Sequence, residues 1–126
     1  VKITSVDPAD VPAPWAYTNG ALVEDARRLL FVSGQIPVTA DDQVPPDFPA
    51  QCRLAWQNVL SVLKGADMTV ENLVKVTVYL SDRRYRGENS AIRKEVLGDH
   101  CPALTIIITG IYDEAWLLEI EAVAAA

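Results

Sequence analysis

Hydrophobic and polar residues alternate with two different periods along this chain, and each period marks a different kind of element. The strictest two-residue alternation lies near the carboxy end, where Leu117 to Val123 reads LLEIEAV. A strand there puts Leu117, Glu119, Glu121 and Val123 on one face and Leu118, Ile120 and Ala122 on the other. Ala103 to Thr109 is rich in Ile and Thr, and Gly110 to Glu114 breaks the run, so Cys101 to Val123 predicts a β-hairpin. Further strands are predicted over Val1–Val6, Gly20–Val23, Arg28–Ser33 and Leu73–Leu80. Helical spacing joins Cys52, Ala55, Trp56, Val59, Leu60 and Leu63 in a helix over Pro49–Lys64. Asp47 is its expected N-cap, Pro49 suits its first turn, and Gly65 is expected to stop it. A second stripe of Tyr85, Asn89, Ile92 and Val96 predicts a helix over Tyr85–Leu97, closed by Gly98.

This order of elements predicts an α+β fold: a mixed β-sheet of about six strands with two helices on one face. Arg28–Ser33 and Ala103–Thr109 are apolar on both faces, and two helices cover only one. The other face needs a cover, and copies of the same chain supply it most economically. The 126 residues fit one domain, 1–126, with a single core.

Composition narrows the function classes. Half of the residues are hydrophobic, which excludes a disordered chain. A net charge of −6 disfavours nucleic acid as a partner. The one basic cluster, Arg83, Arg84, Arg86, Arg93 and Lys94, is interspersed with Glu88 and Glu95 and reads as a solvated helix face. Two cysteines, Cys52 and Cys101, make no disulfide framework, and with His100 as the only histidine no metal site is expected. No apolar run is long enough to span a bilayer and no signal-peptide pattern opens the chain, so a cytoplasmic location is expected.

Four places could carry chemistry. Glu119 and Glu121 share a face of a strand otherwise suited to burial, where carboxylates are costly unless paired. They mark either an exposed rim or subunit edge, or a site. Gly34, in Ser33-Gly34-Gln35, permits a close backbone approach or an unusual dihedral. Asn89 lies on the inward stripe of its helix and needs a partner, either a neighbouring loop or a ligand. Tyr17 follows a Pro-rich loop, Asp7–Pro14, which Trp15 and Tyr17 are expected to anchor on the core. His100 and Cys101 point to opposite sides of an extended segment and make a poor catalytic pair.

The segments FVSGQIPV, VKVTVYLSD, YRGEN, CPALTIII and LLEIEAVA, over about Pro14 to Val123, resemble the reactive-intermediate deaminase family, also called Rid, YjgF or endoribonuclease L-PSP-like. The resemblance implies the chorismate-mutase-like Rid fold, no cofactor, and a homotrimer whose sheets pack together around the threefold axis. In the resembling enzymes, which hydrolyse enamine or imine intermediates, an arginine holds the substrate carboxylate and a glutamate positions or activates water. That glutamate corresponds to Glu119. Tyr17, Ser33, Gly34 and Asn89 match pocket positions, and Thr105 keeps the hydroxyl of the family's serine. The arginine's position is Leu104, which cannot form a bidentate clamp. The expected function is therefore an intersubunit pocket that binds or hydrolyses a small metabolite other than the usual amino-acid-derived enamine or imine. Amines and neutral amides are expected to bind better than 2-keto acids, because Glu119 repels an anion beside it. If the protein is an enzyme, it is a cofactor-free hydrolase of C–N bonds. The alternatives are an active deaminase that uses another residue for the carboxylate, and an endoribonuclease-type translation inhibitor, against which the acidic balance speaks.

Overall fold

The computed structural model describes residues 1–126. Six strands and two helices follow in the order β1 (Lys2–Val6), β2 (Gly20–Glu24), β3 (Leu29–Gln35), α1 (Phe48–Gly65), β4 (Leu73–Leu80), α2 (Arg86–Leu97), β5 (Ala103–Ile108) and β6 (Leu118–Ala125). The class is α+β. The strands divide into an antiparallel ribbon of β1 and β2 and a four-stranded mixed sheet in the order β3-β6-β4-β5.

That order corrects the expected carboxy-terminal hairpin. β5 runs parallel to β4, and β6 runs antiparallel between β4 and β3, so β5 and β6 never pair. The crossover through α2 brings β5 beside β4 in parallel. The chain from Thr109 to Leu117 then passes the end of β4: Thr109 N donates to Leu80 O at 2.9 Å and Ser81 N to Leu117 O at 3.0 Å. A tight turn would have forced pairing; this longer connection leaves β4 in between.

The alternation in β6 sets the two faces of the sheet. Leu118, Ile120, Ala122 and Ala124 are buried beneath α1 with Val76, Val78 and Leu80 of β4 and Trp56, Val59 and Leu63 of the helix. Asp47 caps α1 by accepting from Ala50 N at 2.9 Å. Gly65 is the last helical residue rather than the stop; the turn beyond it is made by Asp67 at φ 55°. Tyr85 precedes α2 in a 3-10 turn, and its ring stacks on Phe48 with centroids 4.5 Å apart. Gly98, at φ 60°, closes α2 as expected.

Two readings of individual side chains are corrected. Arg93 is buried inside α2's inward face rather than solvated. It lies four residues from Asn89 and so shares its face of the helix. Trp15 is 66 % exposed and anchors nothing. The Pro-rich loop is held instead by Asp7, which accepts from Thr18 Oγ1 at 3.1 Å and Asn19 N at 2.7 Å. The face opposite the helices is open and carries Leu29 and Phe31, 59 % and 72 % exposed. No helix is long and apolar enough to cross a membrane.

Ile120 is fully buried at the centre of this packing. Ile120→Ala is expected to cost about 2–5 kcal/mol by leaving a cavity that a strand paired on both sides cannot close. Urea denaturation should show a lower midpoint with an unchanged slope.

Candidate functional site

β3 and β6 pair as Phe31↔Val123 and Val32↔Ala122, then resume at Gln35↔Ile120. One extra residue is therefore accommodated on β3, at Ser33-Gly34, as a β-bulge. Glycine is required there by room and not by dihedral. A Cβ on Gly34 would fall 1.8 Å from Glu119 Oε2 and 2.7 Å from its Cδ, and Gly98 is the one glycine with positive φ. The carboxylate of Glu119 thus lies directly against the backbone of the bulge.

Side chains of α1 hold both partners of this contact. Asn58 Nδ2 donates to Ile36 O at 2.9 Å and Val38 O at 3.1 Å, fixing the chain just beyond the bulge. Gln51, buried, accepts from Leu117 N at 2.8 Å and donates to Ala115 O at 3.0 Å, fixing the entry to β6. The bulge and the glutamate are both referred to one helix.

The neighbouring positions of the open face are polar. Glu119 pairs with Tyr79 and Glu121 with Thr77 across β4. Tyr79 OH donates diagonally to Glu121 Oε1 at 2.5 Å. That hydrogen bond is the main reason the Tyr79 phenol is held above its ordinary pKa, with burial and the two carboxylate charges adding to it. Tyr79, Glu119 and Glu121 line a cavity of about 290 Å³ with Thr109, Gly110 and Tyr112. Ser33 and Glu121 line a second, of about 360 Å³, with Phe31, Lys75 and Thr77. Lys75 Nζ donates to Thr105 Oγ1 at 2.6 Å, which places Thr105 on this face as well.

Asn89 and Leu104 lie on the other face. Leu104 pairs with the buried Val76 and packs against the core beneath the helices. Within one chain it points away from Glu119. Asn89 is fully buried; Cys52 Sγ donates to its Oδ1 at 4.0 Å, while its Nδ2 has no partner. Burial among these groups pushes the Cys52 thiol up to about 12 and lowers the Arg93 guanidinium. Tyr17 is half-buried next to Thr18, whose N donates to Pro102 O at 3.2 Å and which bridges to Ala103 at the start of β5.

The structure therefore brings the seven candidate residues into two groups. Ser33, Gly34 and Glu119 gather at β3 and β6. Around β5 lie Tyr17 near its start, Asn89 and Leu104 on its helix side and Thr105 on its open face. β3 and β5 are the two edges of the four-stranded sheet. Sequence reasoning missed Tyr79, although the alternation of Lys75, Thr77 and Tyr79 marks the polar face of β4 and cross-strand pairing would have pointed to it. No group of three or more His, Cys, Asp or Glu side chains converges as a metal site.

The profile of the family described as endoribonuclease L-PSP matches residues 10–126. The mitochondrial protein mmf2 of Schizosaccharomyces pombe is 35 % identical over 100 residues, covering 77 % of this chain and 79 % of its own. The crystal structure of TdcF from Escherichia coli with bound serine superposes with a TM-score of 0.74 at 26 % identity, covering 98 % of each chain. The Rid-family protein YyfB of Yersinia pestis shares the fold over 100 % of both chains, with a TM-score of 0.86 at 20 % identity.

Two outcomes test the geometry of the open face. Gly34→Ala is expected to displace the Glu119 carboxylate, so its effect on stability should depend on Glu119. A double-mutant cycle with Glu119→Ala should give a coupling of about 0.5–3 kcal/mol, and none if the two do not touch. Tyr79 should ionise above the ordinary phenol range in an absorbance titration near 295 nm, and Glu121→Gln, which removes the largest cause of the shift, should lower its pKa. Because the folded pKa is the raised one, the stabilisation is present below about pH 10 and is lost as pH rises through the folded value.

Proposed function

The chain belongs to the endoribonuclease L-PSP family, also called Rid or YjgF, and we propose that it holds a small metabolite in a pocket completed between copies of itself, where it binds or hydrolyses it without a cofactor. The Glu119 carboxylate lying on the Gly34 bulge is the observation that carries this reading. A carboxylate fixed in that way can hold a water and take its proton. The water oxygen then adds to the carbon of a C=N bond, the nitrogen leaves as ammonia or an amine, and a carbonyl remains.

The division of candidate residues between opposite sheet edges supports the intersubunit pocket. A head-to-tail contact sets the β3–β6 group of one copy against the β5 group of the next, and such contacts close into rings. The open face, with Leu29 and Phe31 exposed, favours the same burial. The proposed ring is a homotrimer. In this reading Glu119 is the catalytic group, and Tyr17, Ser33, Gly34, Asn89, Leu104 and Thr105 contact the ligand.

The ligand proposed differs from that of deaminases acting on amino-acid-derived imines. TdcF has been crystallised with serine, an amino acid whose carboxylate calls for a cation. Leu104 is packed on the core and offers none, so a compact 2-keto acid or α-imino acid would set its anion close to Glu119 without compensation. The proposed place of action is the cytoplasm. RNA cleavage is not favoured, since neither open-face cavity combines a cationic cradle with a histidine.

Sedimentation equilibrium at micromolar protein is expected to give a trimer; a stable, well-folded monomer overturns the shared pocket. Hydrolysis of an imine with no carboxylate on its C=N carbon is expected to exceed that of a 2-aminoacrylate-type imine. Glu119→Gln should lower turnover about 10²–10⁴-fold, and undiminished turnover in that variant would rule Glu119 out.

A further inference from the structure

The arginines of the basic cluster have different environments. Arg84 donates to Tyr85 OH at 2.9 Å and lies over its ring. Lys94 pairs with Asp99 at 3.8 Å. Arg93 is buried. Arg83 and Arg86 remain, and neither takes part in the two ion pairs of the chain, Arg53–Glu95 and Lys94–Asp99. The nearest carboxylate in sequence, Asp82, caps the turn by accepting from Arg84 N at 2.9 Å.

Arg83 and Arg86 line one cavity of about 360 Å³ between the start of α2 and the end of β5. Its other walls are Asn89, Ser90 and the side chains of Leu80, Ile106 and Ile108. No acidic residue lines it. Asn89 is fully buried, yet its Nδ2 donates to nothing. A buried donor without an acceptor costs about 1–3 kcal/mol, and an acceptor entering this cavity would remove that cost. Two unpaired guanidiniums, one orphaned amide donor and an aliphatic wall match a single chemistry: an anion on a short apolar body.

We propose that this cavity is the subsite for the carboxylate of a small aliphatic acid, with Arg83 and Arg86 clamping the anion, Asn89 Nδ2 donating to it, and Ile106 and Ile108 carrying the hydrocarbon. The proposal deepens the reading above by naming the charge of the ligand, and it rests on that reading only in that the same ligand also reaches Glu119. It places the anion two to four residues along β5 from Leu104, about 7–13 Å at the rise of a strand. The anion then lies away from position 104, and an acid whose carboxylate is remote from its C–N bond suits the pocket better than an α-amino acid derivative. The three groups that define the subsite lie on one chain and need no neighbour.

The test uses the full chain, with butyrate, its neutral isostere butyramide, and inorganic phosphate as probes, followed by calorimetry and by the side-chain NH₂ signals of Asn89 in ¹H–¹⁵N spectra. Butyrate is expected to shift the Asn89 signals and to bind at least tenfold more tightly than butyramide. Arg83→Gln with Arg86→Gln should lose at least tenfold in butyrate affinity while the remaining spectrum is retained; both arginines are exposed, so the fold does not depend on them. Butyrate carries no C–N bond, so its binding is read independently of any hydrolysis, which separates this proposal from the hydrolytic one. Equal binding of butyrate and butyramide, equal displacement by phosphate, unmoved Asn89 signals, or undiminished binding in the double arginine variant would each overturn the subsite.

Discussion

The rest of the structure depends on the insertion of β6 between β3 and β4. That single strand meets antiparallel neighbours on both sides, so its register is fixed from two directions. Its buried face, Leu118 through Ala124, forms the floor on which α1 lies. Its other face presents Glu119 and Glu121 to the open side. A one-residue slip would exchange the two faces, burying both carboxylates and exposing the core, which is why the register is strongly specified.

The bulge on β3 follows from the same strand. A regular ladder would have kept Ser33 and Gly34 paired with β6. The extra residue bends β3 where Glu119 needs space, and glycine supplies that space. Asn58 and Gln51, two polar residues of a mainly apolar helix, spend their hydrogen bonds on the segments beside the bulge and before β6. The polar side chains of α1 thus orient the site, while its apolar stripe stabilises the sheet.

The two faces also divide the charge. The open face carries the two glutamates with Tyr79, and the unpaired arginines gather on the helix side with Asn89. A sheet one residue thick separates them within a chain. Within one chain, groups arranged in this way do not face one small ligand together.

Periodicity alone identified both helices, the strands and the division of β6 into a core face and a carboxylate face, because each depends on local spacing that burial enforces. Gly34 permits a close approach or an unusual dihedral, and the sequence alone did not decide between them or name what approaches. The hairpin expected between β5 and β6 failed because nothing in the sequence of either strand says which neighbour it takes; that depends on the path around β4. Arg93 read as solvated because charge predicts exposure, and only the packing of α2 on α1 put it inside. The separation of Leu104 from Glu119, the partner of Tyr79 and the empty donor of Asn89 are all relations between residues far apart in the chain. They were decided by tertiary structure, since side chains on different strands acquire a common face only when the register is set.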